Sequence, residues 1–284
     1  MVTHVDRILG RYDLEIFKFL YHILSITLIT AGSRALLRFT KPLLITKLKA
    51  TAIHMSLSLV VFVYLVYQIY YNWYPEPYFS VDGGWQGIRL VAAVDLVLGP
   101  FITFLIFDLS KSRKEIVFDL VTIMVIQFGA LAYGVYATYS QRPVAIVLID
   151  EYVITAIMEH YGGSLSSENI LKQYSDEKPP IVYAHLEQNA EVIAEINRIK
   201  IEEKILEHAQ LNLYRSQPQL KEALKERQEL FYERMEFYED TDKYDTWLQQ
   251  NQKTREEVLV ARFDGRYGAV WLVFDLEGKY LSYF

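Results

Sequence analysis

Apolar residues run almost unbroken through three stretches in the first half of the chain, about Ala52–Trp73, Ile88–Leu109 and Ile116–Tyr139. A bilayer core about 30 Å thick needs roughly 20 apolar residues to cross it as a helix. Any one stretch could be a buried helix of a soluble protein. Three within about ninety residues, with so few charges between them, predict three transmembrane helices. Beyond Tyr139 the pattern changes. Arg142–Leu148 and Tyr152–Ile157 are β-rich runs flanking Asp150-Glu151, a hairpin signal. Gly162-Gly163 interrupts, and Ser167 is placed to cap a short helix over Glu168–Tyr174. Lys178-Pro179-Pro180 precedes a strand-like Ile181–Ala184. Val192, Ile193, Ile196, Ile199, Ile205 and Leu206 recur at helical spacing, predicting a helix over Glu187–Gln210, and a second spans Gln219–Tyr238. Their charged faces read as a solvated amphipathic surface, or as a coiled coil or partner groove. Alternation returns in Val258–Phe263, Ala269–Phe274 and Tyr280–Phe284, separated by turns at Asp264-Gly265-Arg266 and Glu277-Gly278, a terminal meander.

Charge sharpens this division. Residues 1–50 carry eight basic and three acidic side chains, a balance of +5. Residues 140–284 carry 17 basic and 26 acidic ones, a balance of -9. Three parts follow: a basic N-terminal segment (1–50), a three-helix transmembrane domain (51–139) and an α+β domain (140–284). Within the first part Phe17–Ala31 reads as a fourth, marginal spanning helix, an interfacial helix or an incidental extension. Arg38, Lys41, Lys47 and Lys49 precede the first helix, and Lys111, Arg113 and Lys114 fill the link between the second and third. The link 74–87 has no Lys or Arg. The basic flanks therefore belong in the cytoplasm and the α+β domain in the periplasm. The overall charge of -6 argues against a nucleic-acid partner, and the absence of cysteine excludes thiol chemistry and Cys-based metal sites.

Ionisable groups within spanning helices are costly and mark packing or function. Here they are Arg89, Asp95 and Asp119, with His54 near the start of the first helix and the neutral Gln68 and Gln127. Asp95 and Asp119 fall near opposite ends of their helices, too far apart for an aspartic protease dyad. Asp95 and its neighbours instead lock helix packing or meet a partner helix. Gly99-Pro100 interrupts the second helix, where Gly99 permits close approach and Pro100 a bend. Asp82-Gly83-Gly84-Trp85 reads either as an anion cradle or as a tight surface turn anchored by Trp85. No nucleotide loop, zinc-protease motif or nucleophile elbow occurs. The histidines, His160, His185 and His208 among them, are too scattered in sequence to suggest a site. The chain reads as a non-enzyme with neither cofactor nor metal.

The order of short motifs carries a resemblance. Lys47-Leu48-Lys49-Ala50, Trp73-Tyr74-Pro75 and Pro77-Tyr78-Phe79 are followed by Asp82-Gly83-Gly84-Trp85-Gln86-Gly87 with Arg89-Leu90. Then come Val94-Asp95-Leu96-Val97-Leu98-Gly99-Pro100, Lys111-Ser112-Arg113-Lys114-Glu115, Gln127 and Arg142-Pro143-Val144-Ala145. This order resembles the TfpX/TfpZ-type type IV pilin accessory proteins of Gram-negative bacteria over about residues 47–157. Residues 1–45 and the tail after about 160 lie outside the pattern. The resemblance implies an inner-membrane accessory protein or chaperone that binds its cognate major pilin and favours pilus assembly, surrounded by inner-membrane lipid and in reach of the assembly machinery. On that reading Asp82, Gly83, Gly84, Trp85, Arg89, Asp95, Gly99, Pro100 and Gln127 are the partner-binding or structural residues. The competing reading from another class is a membrane-anchored periplasmic sensor, whose cytoplasmic output would have to come from the N-terminal segment and a six-residue loop. A glycosyltransferase would need clustered carboxylates that Asp82 alone does not supply.

Overall fold

The computed structural model describes Ser25 and residues 41–284 apart from 163, 166, 167 and 188. The segment Phe17–Ala31 and the Ser167 cap lie outside the described residues. Contacts divide the chain into two compact units: residues up to Ile69 with Trp85–Ala137, and Tyr70–Gly84 with Thr138–Phe284. Composition draws a boundary near residue 140; contacts instead group the Tyr70–Gly84 link with the C-terminal region.

Among the described residues, three helices are long and apolar enough to cross a membrane. The first is α1 (Lys41–Tyr67), continued by a π-helical turn over Gln68–Trp73. A short α2 (Tyr78–Val81) lies in the link. The second membrane-length helix has three pieces: α3 (Gly84–Ala92), a π turn (Ala93–Leu98) and α4 (Gly99–Ile106). The third is α5 (Arg113–Ser140). Pro100 has no backbone N–H to give to the preceding turn. The interruption takes the form of widened winding just before it, where Gly99 N–H reaches back five residues to Val94 O. In the helical unit α1 packs on α4, while Ile102 and Ile106 of α4 meet Ile123 of α5. Lys47 donates to the carbonyls of Phe104 (3.1 Å) and Leu105 (2.9 Å), and Lys111 to Ile106 O (3.2 Å). The C-terminal carbonyls of α4, unpaired within the helix, thus receive cationic donors.

The second unit is an α+β structure built on one mixed seven-stranded sheet, in the order β4-β3-β1-β2-β5-β6-β7. The strands are β1 (Ala145–Ile149), β2 (Tyr152–Ala156), β3 (Ile181–Ala184), β4 (Tyr214–Arg215), β5 (Leu259–Asp264), β6 (Ala269–Phe274) and β7 (Tyr280–Tyr283). The anticipated hairpin forms with Ile149 opposite Tyr152. The terminal meander forms too, with β5, β6 and β7 antiparallel in succession. Two parallel pairings, β1 with β3 and β2 with β5, join these pieces into one sheet.

Strand alternation divides the core between the two faces. Ile146 and Leu148 of β1 pack with Leu220, Phe231, Met235 and Trp247. Ala145, Val147 and Ile149 pack with Tyr161, Leu171, Ile196 and Leu213 on the other side.

The two long helices expected here are shorter. The helix anticipated over Glu187–Gln210 is α6 (Ala190–Arg198) with a π turn to Glu203, stopped by Lys204 in a left-handed C-cap. That anticipated over Gln219–Tyr238 is split into α7 (Gln217–Glu226) and α8 (Gln228–Phe237) at Arg227, whose backbone leaves helical geometry. Arg227 Nε donates to Asp150 O, tying this break to the β1–β2 turn. A further helix, α9 (Thr241–Asn251), buries Tyr244, Trp247 and Leu248 at helical spacing. Helices that rest on a sheet in this way do not form a coiled coil.

Candidate functional site

In the C-terminal unit, Asp82 is fully buried. Isolated burial of a carboxylate is prohibitive, so its donors define the local structure. Arg266, in the β5–β6 turn 184 residues away, supplies three: its backbone N–H and Nε, each 3.0 Å from Oδ1, and Nη2, 3.1 Å from Oδ2. Thr155 of β2 supplies a fourth at 2.7 Å. Arg266 also donates to the side-chain oxygen (3.1 Å) and the carbonyl (2.7 Å) of Gln141. Burial alone would lower the Arg266 pKa, but the Asp82 charge and its hydrogen bonds outweigh burial and raise it. The turn closes on the link from both sides. Tyr267 N–H donates to Val81 O at 2.9 Å, and a Cβ at Gly265 would stand 2.5 Å from that same carbonyl oxygen. Gly83, at φ +116°, turns the chain away, and Gly84 opens α3.

The structure shows a turn at Asp82-Gly83, with Gly83 at φ +116°. The buried Asp82 carboxylate takes its donors from Arg266 and Thr155, and Trp85 is 46% exposed. The helical unit holds Trp85 and Arg89, with the Arg89 guanidinium 5.4 Å from the Trp85 ring centroid, within cation–π reach.

The helical unit has its own buried polar cluster. Asp95, in the π turn, accepts from Ser58 of α1 (3.0 Å) and from Gln127 Nε2 of α5 (2.9 Å). Three helix segments therefore meet at one carboxyl group. Gln127 also donates to Val94 O, the acceptor of Gly99 N–H, at 3.3 Å. Gly99 leaves room for this amide: a Cβ there would lie 2.4 Å from Gln127 Oε1. Pro100 is buried beside it. One turn further on, Thr103 donates to Gly99 O at 3.1 Å, so its oxygen accepts from His54 Nδ1 at 2.6 Å. Asp95, Gly99 and Gln127 thus come together, with Ser58 as an unforeseen member. Asp119 has a separate partner, Lys111, at 2.6 Å.

Two of the scattered histidines meet in the fold. His160 and His208, 48 residues apart, are hydrogen-bonded at 2.8 Å between Nδ1 and Nε2. The left-handed stop at Lys204 turns the chain back so that Leu206 N–H donates to His160 O, bringing His208 beside His160. Ile157 N–H also points at His160 Nδ1, so that nitrogen accepts and His208 donates. The Tyr214 hydroxyl donates to His208 O and meets the Tyr161 hydroxyl at 2.9 Å. His185 stands apart, bonded to the Tyr183 hydroxyl. Burial, the neighbouring His208 and Arg266 push the His160 pKa down to about 3. Burial and Lys200, opposed by Glu207, push that of His208 down to about 4. Among the described residues, no group of three or more His, Asp or Glu is placed to hold a metal ion.

The sequence is 38% identical over 99 residues to the fimbrial assembly protein of serogroups C1 and C2 of Dichelobacter nodosus, spanning 35% of this chain and 76% of that protein. The chain belongs to this fimbrial assembly protein family. It is equally similar to the serogroup E1 and serogroup I fimbrial assembly proteins of that organism, although it spans only 38% of the length of each. No family model matches the chain, and no solved structure matches it significantly. For a fimbrial assembly protein, the two acidic clusters and the histidine pair are the places where substitution is most informative.

Removing one partner of a buried ion pair costs about 3–5 kcal/mol. Asp82→Ala should therefore expose the C-terminal unit to trypsin at denaturant concentrations that leave the native chain intact, while Asp82→Asn should fall between the two. Gly99→Ala should displace Gln127 and destabilise the helical unit by about 1–3 kcal/mol. Adding Gln127→Ala should recover part of that loss in a double-mutant cycle on detergent-solubilised protein. The histidine pair fixes a sign with pH. Both folded pKa values lie below the unfolded value of about 6.5. The unfolded chain then binds protons that the folded chain refuses, so stability holds above pH 6.5 and falls as the pH drops toward 4. Melting temperatures across that window should decline for the native chain and decline less for His160→Gln/His208→Gln.

Proposed function

We propose that this chain is an inner-membrane accessory protein of type IV pilus assembly that chaperones its cognate major pilin and does no covalent chemistry. Membership of the fimbrial assembly family carries the reading, and the three membrane-length helices agree with it. The N-terminal side is cytoplasmic and the sheet unit is periplasmic, as the Lys and Arg flanks require. A pilin awaiting assembly is an apolar helix carrying a periplasmic head. The helical unit offers that helix a surface of Leu57, Val60, Val125 and Phe128, all exposed. The buried Asp95, Gly99 and Gln127 cluster sets the three helices that carry this surface. The sheet unit offers the head the outer edge of β7, whose pairing in the sheet is with β6. An extended pilin segment adding to that edge would be held mainly by backbone hydrogen bonds.

Photocrosslinkers at Phe128 and at Leu281 test the reading in living cells that carry a tagged pilin. Crosslinks to pilin at both positions, with loss of pilin and of surface pili on deletion, are the expected outcome. Unchanged pilin level and piliation after deletion would refute it.

A further inference from the structure

At the start of α5, Arg113, Lys114, Val117, Phe118 and Val121 line a shallow groove. The apolar members are strongly exposed: Val117 59%, Phe118 72% and Val121 46%. They recur on one helical face directly beyond the two cations. The basic residues at this end differ in what they do. Lys47 and Lys111 are engaged by the carbonyls that end α4, and Lys111 also by Asp119. The side chains of Arg113 and Lys114 have no hydrogen bond or ion pair among the described residues. The nearby carboxylates have donors of their own. Asp108 accepts from Ser110 N–H, Glu115 from Ser112 N–H and Asp119 from Lys111. Two positive charges are thus without a carboxylate partner among the described residues, next to an apolar stripe.

We propose that this groove binds an anionic phospholipid, its phosphate between Arg113 and Lys114 and an acyl chain along Val117, Phe118 and Val121. Charge complementarity selects an anion, and the stripe selects an amphiphile over a soluble phosphate. The proposal rests on the reading of α5 as membrane-spanning, which sets the two cations at headgroup depth. It does not depend on the pilin reading, because lipid retention is measured without pilin.

The test is native mass spectrometry of the full chain in detergent, offered phosphatidylglycerol, phosphatidylethanolamine of equal acyl length, or glycerol 3-phosphate. Phosphatidylglycerol should be retained about thirtyfold over phosphatidylethanolamine, the scale expected for two cations near a membrane surface. R113Q/K114Q should bring the two lipids to parity, whereas K41Q/K49Q, at exposed lysines of α1, should leave the preference intact. If the double variant loses helicity by circular dichroism, R113Q and K114Q singly decide, each expected to lose about half the preference on a logarithmic scale. Equal retention of both lipids by the native chain would overturn the proposal. So would a preference that survives R113Q/K114Q, an equal loss in K41Q/K49Q, or glycerol 3-phosphate binding as tightly as the lipid.

Discussion

A carboxylate with no exposure to water has to be answered by donors, and in the C-terminal unit that requirement falls on Asp82. Arg266 and Thr155 meet it, and in doing so they make a short link an integral part of a sheet 184 residues distant in sequence. The rest of the contact follows from this pairing. The β5–β6 turn has to approach Val81 closely enough that a glycine is required at 265. Tyr78 of the link packs edge-on against Phe263 of β5, 5.3 Å between ring centroids, and joins the sheet's larger apolar cluster. Arg266, holding Gln141 as well, gathers three separate stretches of chain around one charge pair.

The two buried aspartates solve the same problem differently. Asp82 is matched with a full positive charge. Asp95 is matched with neutral donors, a hydroxyl and an amide, contributed by two other helices. Among the described residues, Asp95 Oδ2 and the single side-chain oxygen of Gln127 are buried without a hydrogen-bond partner. A neutral network of this kind aligns three helices at one depth and at one rotational setting, which apolar contacts alone specify poorly. The π turn belongs to the same arrangement, because its Val94 carbonyl accepts from both Gly99 N–H and Gln127.

Local pattern made much of this architecture legible. Unbroken apolar runs marked the three membrane-length helices, and alternation with turn residues marked the β1–β2 hairpin and the β5–β7 meander. Short-range signals failed where distant contacts decide. Nothing near Asp82 announces Arg266, and nothing near His160 announces His208. The long helix anticipated through Gln210 depended on periodicity that Lys204 cuts short with a left-handed residue, a position that glycine or asparagine more often marks. The split at Arg227 carries no proline or glycine; the side chain at the break reaches Asp150 O, a contact distant in sequence. Helix α9 was within reach of the sequence, since Tyr244, Trp247 and Leu248 stand at helical spacing.

The distance along the chain between Asp82 and Arg266 also has a meaning in time. A ribosome adding about 5–20 residues per second needs roughly 10–40 s to travel from one to the other. Throughout that interval the link exists without its counter-charge, and the strands that will carry the β5–β6 turn have not been made. The link is therefore among the early segments to be synthesised and among the last to settle. The nascent chain must keep it hydrated and accessible until the final meander arrives to close over it.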